Sequence, residues 1–146
     1  MIWSLKNKLI LISLLIFIIS LFFGAFQVKD MGKITEYPSI NVFLIGPIGF
    51  LGGGIFEFFV WTANIWLFIA IISLFKKKFL ASVIMGIIAL SVSGSFMLWK
   101  EILVSESGRT AKIYSWETGY FLWLISMICI VFSSVYLKIK NNLYMD

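Results

Sequence analysis

The stretch IFEFFVWTANIWLFIAIISLFKKKFLASVIMGIIALSVSGSFMLWK, running from Ile55 to Lys100, decides the fold class. Two apolar runs of about 20 residues flank Lys76-Lys77-Lys78, and as helices each reaches about 30 Å, the hydrocarbon thickness of a bilayer. The first run, residues 55–75, holds a single charge, Glu57, which counting back from the lysines places at the far interface and not at the bilayer centre. The second, residues 79–99, starts directly after the lysines and stops at Lys100-Glu101. The pattern predicts a hairpin of two membrane-crossing helices with residues 76–78 as the turn.

Composition agrees. Of 146 residues, 61% are hydrophobic, 18% aromatic and 13% charged. A soluble domain is about 45–50% apolar and about 25% charged, so this chain has too little polar surface to cover a water-facing globule. Its expected solvent and first partner is the lipid bilayer. A formal charge of +5 in a soluble protein would suggest nucleic acid. Here the lysines gather at the ends of apolar runs, where they act as topology signals, and no nucleic-acid partner is expected. Cys129 stands alone within an apolar run, and histidine is missing altogether. An intrachain disulfide is thereby excluded, and the commonest general base and metal ligand is removed, so neither a metal nor a cofactor is expected.

Outward from the hairpin, Leu9 to Val28 is free of charge and long enough to cross, and a last run extends from about Thr118 to Leu137, between Glu117 and Lys138. Lys6 and Lys8 precede the first run as they would in a signal peptide. Its apolar core is too long for one, and Phe23-Gly24-Ala25 puts a bulky ring where a cleavage site wants a small residue, so a retained anchor is predicted. The fold class read from the sequence is therefore an all-α integral membrane protein of one domain, residues 1–146, built as a four-transmembrane-helix bundle. Spans are placed at about 9–28, 55–75, 79–99 and 118–137, outer segments at 29–54 and 100–117, and an inner loop at 76–78.

Orientation follows from the basic residues. Lys6, Lys8, Lys76, Lys77, Lys78, Lys138 and Lys140 fall on one side, with only Asp146 as an acid. Lys29, Lys33, Lys100, Arg109 and Lys112 fall on the other, mixed with five acids. The first side is expected to be cytoplasmic, with both termini inside. Trp61, Trp99, Trp116 and Trp123 then sit near the outer boundary and Trp3 near the inner one, as an aromatic belt.

The outer segments read as unable to cross the membrane. Residues 42–51 are apolar but too short to cross, and Gly46-Pro47, Gly49 and Gly52-Gly53-Gly54 break a continuous helix, which predicts a short interfacial or re-entrant segment before the second span. Residues 100–117 balance three basic against three acidic side chains, as a solvated loop does.

Helical phase places Ser13, Ser20 and Gly24 on one face of the first span, and Ser82, Gly86, Ala89 and Ser93 on one face of the third. Small residues so spaced let membrane helices approach closely. In the second span Glu57, Trp61 and Asn64 share a face. An unpaired amide two turns inside the membrane costs several kcal/mol, so Asn64 should point into the bundle and meet a partner. These three residues form the candidate polar site.

Trp61-Thr62-Ala63-Asn64 and Gly119-Tyr120-Phe121-Leu122-Trp123-Leu124-Ile125-Ser126 resemble elements of small, functionally uncharacterised four-span bacterial membrane proteins, with Ile65 in place of the proline that commonly follows the asparagine. The resemblance covers the central and last thirds of the chain and implies a bacterial inner-membrane protein without supplying an activity. Four-span immunity proteins against pore-forming bacteriocins are similar in size and topology, with no shared motif.

With no nucleophile and base pair, metal set or phosphate motif, the chain is expected to be non-enzymatic and to act by contact. It would serve as an accessory or regulatory subunit or an immunity-type binder, against another membrane or periplasmic protein or its own copy. The rival reading is a small transporter or channel, with Glu57, Asn64 and the glycine-rich residues 46–54 lining the path. An enzyme acting on lipid carriers, with Glu57 or Glu101 as base, is a third.

Overall fold

The computed structural model describes residues 4–143. Trp3 and Asp146 lie outside the described residues. In chain order the elements are α1 (Leu5–Ser20), β1 (Gly24–Asp30), β2 (Lys33–Pro38), α2 (Ser39–Ile45), a 3-10 turn (Gly46–Gly52), α3 (Ile55–Trp61), α4 (Ala63–Phe75), α5 (Phe79–Ser95), a second 3-10 turn (Phe96–Leu98), β3 (Glu101–Leu103), β4 (Thr110–Trp116) and α6 (Thr118–Leu143).

Among the described residues three helical stretches are long and apolar enough to cross a membrane: Ile55–Phe75, Phe79–Leu98 and Thr118–Leu143. The first is α3 and α4 joined through Thr62. There the Ile65 N–H turns to Thr62 O at 2.9 Å, and the Thr62 hydroxyl donates to Phe59 O at 2.6 Å. Helix α1 has 16 residues, about 24 Å, opened by Ser4, whose Oγ accepts from the Asn7 N–H. It packs along α6, while α5 lies against both α4 and α6.

At one end of the bundle α4 turns into α5 through the three lysines. Lys77 takes the left-handed conformation (φ 60°). The Lys78 N–H then reaches Ser73 O at 2.9 Å and the Lys77 N–H reaches Leu74 O at 3.0 Å, which pairs the last carbonyls of the helix. Lys6 of α1 caps the same helix end, donating to Phe75 O at 2.6 Å with its ammonium 4.8 Å from the Phe75 ring.

At the other end both outer segments enter a four-stranded antiparallel sheet of order β2-β1-β4-β3. This corrects the all-α expectation. The first helix ends at Ser20, so the expected span at 9–28 is too long: Gly24 to Val28 belong to β1. Gly24 consequently shares no helix face with Ser13 and Ser20 but lies under the Glu36 side chain. The apolar count misled because Ala25, Phe26 and Val28 are buried against the bundle, and hydropathy alone does not separate a buried strand from a helix. Residues 100–117 likewise are not a solvated loop but β3, a turn and β4. The last helix extends six residues past the expected Leu137, to Leu143.

Alternation sets the sheet's two faces. Phe26, Val28, Ile102 and Ala111 are buried and pack on Val60, Phe96 and Tyr120. Lys29, Lys112 and Glu101, paired in register across β1, β4 and β3, occupy the opposite face. A second core fills the bundle, where Leu67, Leu74, Met127 and Ile130 are completely enclosed.

Small residues make the helix contacts. The buried Ser13 hydroxyl donates to Ser126 O of α6 at 2.8 Å. Ser82 donates to Ala70 O at 2.7 Å and pairs with Ser134 Oγ at 2.7 Å. A Cβ at Gly86 would come within 2.7 Å of the Val131 side chain, and Ala89 is fully buried. Ser20 and Ser93 are buried as well, donating to Phe17 O and Leu90 O within their own helices.

Candidate functional site

Glu57, Trp61 and Asn64 converge where the sheet meets the bundle. Asn64 is 4% exposed. Its Nδ2 donates to Trp61 O at 2.9 Å, taking the carbonyl that the Thr62 irregularity leaves aside, and its Oδ1 accepts the Trp123 indole N–H of α6 at 2.8 Å. The amide thus caps a break in its own helix and ties that helix to α6, and the two short elements singled out in the sequence are joined by this bond. Trp61 turns the other way and donates to Phe43 O of α2 at 2.9 Å. Its indole lies so close over Gly46 that a Cβ there would overlap the ring. Glu57 Oε1 accepts the Leu103 N–H at 2.9 Å, holding β3 to the start of α3.

All three side chains line one cavity of about 120 Å³. Its other walls come from α1 (Phe17, Ser20), β1 (Ala25, Phe26), α2 (Ser39, Val42, Phe43) and α6 (Gly119, Tyr120, Trp123). Most of these wall atoms are apolar, and most of the polar ones are paired: the Tyr120 hydroxyl donates to Ser93 O at 2.8 Å, for example. Ser39 Oγ is the exception, buried without a hydrogen-bond partner. Gly119 has no room for a side chain, because a Cβ would collide with Ser39 Oγ and lie 2.6 Å from Gly24 O and 2.9 Å from Ser20 O.

Of the glycine-rich residues 46–54, Gly46 lies at the cavity wall. The stretch forms a 3-10 turn and the left-handed Gly53 (φ 90°), which returns the chain from α2 to α3. Deeper in the bundle, Ser13, Ser82, Ser93, Ser126 and Ser134 each donate to a backbone carbonyl between the enclosed Leu67, Leu74, Met127 and Ile130. Among the described residues no group of three or more His, Cys, Asp or Glu side chains is placed to hold a metal ion.

The sheet contributes the second feature, an open edge. The two-residue turn Met31-Gly32 has positive φ at both positions (47° and 83°), the turn that closes a hairpin on the hydrogen-bonded pair Asp30 and Lys33. Alternation then points the peptide groups of Ile34 and Glu36 away from β1. Every β2 residue except Tyr37 is exposed.

Sequence reasoning located Glu57, Trp61 and Asn64 but not Ser39, Phe43 or the sheet edge. The sequence reading placed Trp123 only in the aromatic belt; the rule that a buried indole N–H requires an acceptor would have made it a candidate partner for Asn64. Comparison with protein-family models, with curated proteins and with solved structures gives no match to this chain.

Proposed function

We propose that this chain is a non-enzymatic membrane protein that acts by contact, as an accessory or regulatory subunit or an immunity-type binder, and that strand β2 is its docking edge. The observation that carries this reading is the outward peptide groups of Ile34 and Glu36 on an exposed edge strand, a ready template for an added strand from a partner. The partner is another membrane or periplasmic protein, or a second copy of this chain.

The proposed setting is a bacterial inner membrane crossed four times, with both termini cytoplasmic. Support for α1 as a fourth span comes from its two faces. Ile10, Ser13 and Phe17 are buried in the bundle, while Leu11, Ile12, Leu15, Ile18 and Ile19 present an apolar surface suited to lipid. Lys6 sits beside the 76–78 turn at the end away from the sheet, where a cytoplasmic boundary would gather basic residues. Transport through the bundle draws no support from serines whose hydroxyls are taken by helix carbonyls, their own or a neighbour's, and which are separated by packed Leu, Ile and Met.

Purification of the chain in mild detergent tests the reading. A stoichiometric partner or a dimer should co-elute and should be lost on Ile34→Pro, which removes an outward N–H while leaving the hairpin bonds of Lys33 and Thr35 in place. A monomer without a partner, together with protein-dependent ion flux in liposomes, would replace this reading with the transporter.

A further inference from the structure

We propose that the cavity beneath the sheet binds a single acyl chain, whose carbonyl oxygen accepts a hydrogen bond from Ser39 Oγ and whose first carbons lie among Phe17, Phe43, Trp61 and Trp123. The cavity of about 120 Å³ approaches in size the apolar cavity of about 150 Å³ that stays dry and takes up benzene. Water is a poor occupant, since a buried water needs two to four polar partners and the wall leaves few open. The indole of Trp61 is bonded to Phe43 O, that of Trp123 to Asn64 Oδ1, and the hydroxyls of Ser20 and Tyr120 to Phe17 O and Ser93 O. The Ser39 hydroxyl, buried and unpaired, is left over. The Glu57 carboxylate at the rim is engaged through Oε1 by the Leu103 N–H, and an otherwise apolar volume with one unpaired buried hydroxyl at its wall complements a hydrocarbon chain that begins in a carbonyl group.

The route to the cavity points to the bilayer as the source. Helix α1 packs along α6 and α4 along α5, while α1 and α4 meet less closely, Phe17 touching Phe68 at 5.5 Å between ring centroids. At the sheet end of that contact the Phe43 ring of α2 lies between α1 and α3, 5.6 Å from Phe17 and 6.3 Å from Trp61. Leu44 and Ile45, next to Phe43, are exposed. A chain from the surrounding lipid enters beside α2, with its carbonyl at the level of Ser39, where α2 begins, and its tail returning to the bilayer. The carbonyl belongs either to a free fatty acid or to a phospholipid ester. This site is separate from the β2 edge and does not depend on a partner docking there.

The test uses the full chain in phosphatidylcholine vesicles doped with one of two photoreactive probes. One is palmitic acid, the other a phosphatidylcholine, each with a diazirine close to the carbonyl. After irradiation, adducts are mapped by mass spectrometry. We expect labelling of Phe17, Phe43, Trp61 or Trp123 by at least one probe, and the probe that labels identifies the source. Ser39→Ala should reduce that labelling about fivefold, the effect of one lost hydrogen bond, and Val42→Phe should abolish it by filling the cavity. Labelling of the exposed Leu80, Ile84 and Ile87 of α5 should persist in both variants and report intact folding. If Val42→Phe does not fold, Ser39→Ala decides alone, since it deletes one oxygen. Adducts confined to α5 and other outward helix faces, or cavity adducts unchanged in Ser39→Ala, would overturn the proposal.

Discussion

The Trp123 indole nitrogen and the Asn64 side-chain oxygen lie 2.8 Å apart across the α4 and α6 contact, while the Asn64 amide nitrogen holds Trp61 O on its own helix. One side chain therefore serves a helix break and a helix contact together. Asn64→Leu leaves both the Trp123 N–H and Trp61 O without a partner and should lower stability by about 1–2 kcal/mol. Unfolding in mixed micelles measures it. Trp123→Phe in the Asn64→Leu background should add less than it does alone, by about 0.6 kcal/mol, the average coupling of a membrane hydrogen bond. Strict additivity would mean that the bond contributes nothing.

Two glycines that touch each other's surroundings should respond differently to alanine. At Gly119 the new methyl meets the fixed backbone oxygens Gly24 O and Ser20 O, so Gly119→Ala should cost about 1–3 kcal/mol through overpacking. At Gly24 the nearest atoms are those of the Glu36 side chain, which is exposed and can swing aside, and Gly24→Ala should be nearly neutral. Thermal denaturation in detergent separates the two, and equal losses would contradict the packing described.

Glu57 accepts the Leu103 N–H, and an amide oxygen can do the same. Glu57→Gln should therefore preserve the fold and the docking activity. Glu57→Leu should free β3, losing about 1–3 kcal/mol and speeding hydrogen exchange at Leu103. A collapse of activity in Glu57→Gln with stability unchanged would assign the charge itself a role in ion or proton movement.

Reporter fusions check orientation. A reporter active only in the cytoplasm should work after Asp146 and stay silent at Arg109. Replacing Lys76, Lys77 and Lys78 together with Gln should mix orientations, because three of the seven lysines at that end are removed. Uniform orientation in that variant would show that α1 and its flanking Lys6 and Lys8 decide topology alone.

The long apolar helices were legible because their length and bounding lysines are local properties of the chain. The convergence of Glu57, Trp61 and Asn64 was legible for the same reason, since their spacing within one apolar run sets a common face that the break at Thr62 between α3 and α4 does not undo. The sheet was not. β1 pairs with β4 across more than eighty positions, from Phe26 to Trp116, and no local pattern announces a partner so distant. Nor did period alone expose β1, because Phe22 and Phe23 precede it and extend the apolar run without a break. Phe43 and Ser39 escaped notice because an interfacial segment read only as broken helix offers no reason to aim its side chains inward.

The strand order β2-β1-β4-β3 also dictates a sequence of events during synthesis. The β1 and β2 hairpin can form as soon as α1 is in place, but the second edge of β1 waits for residues 110–116, which emerge only after α3, α4 and α5 have been made. Until then the nascent protein carries a hairpin with two open edges, one of them destined for the interior of the sheet. That interval is when wrong strands can pair, and it ends when β4, directly ahead of α6, zips into place. Docking of β4 and the helix that follows it thus works as the latch on the sheet, and a chain cut short before Thr110 would keep that edge open for good.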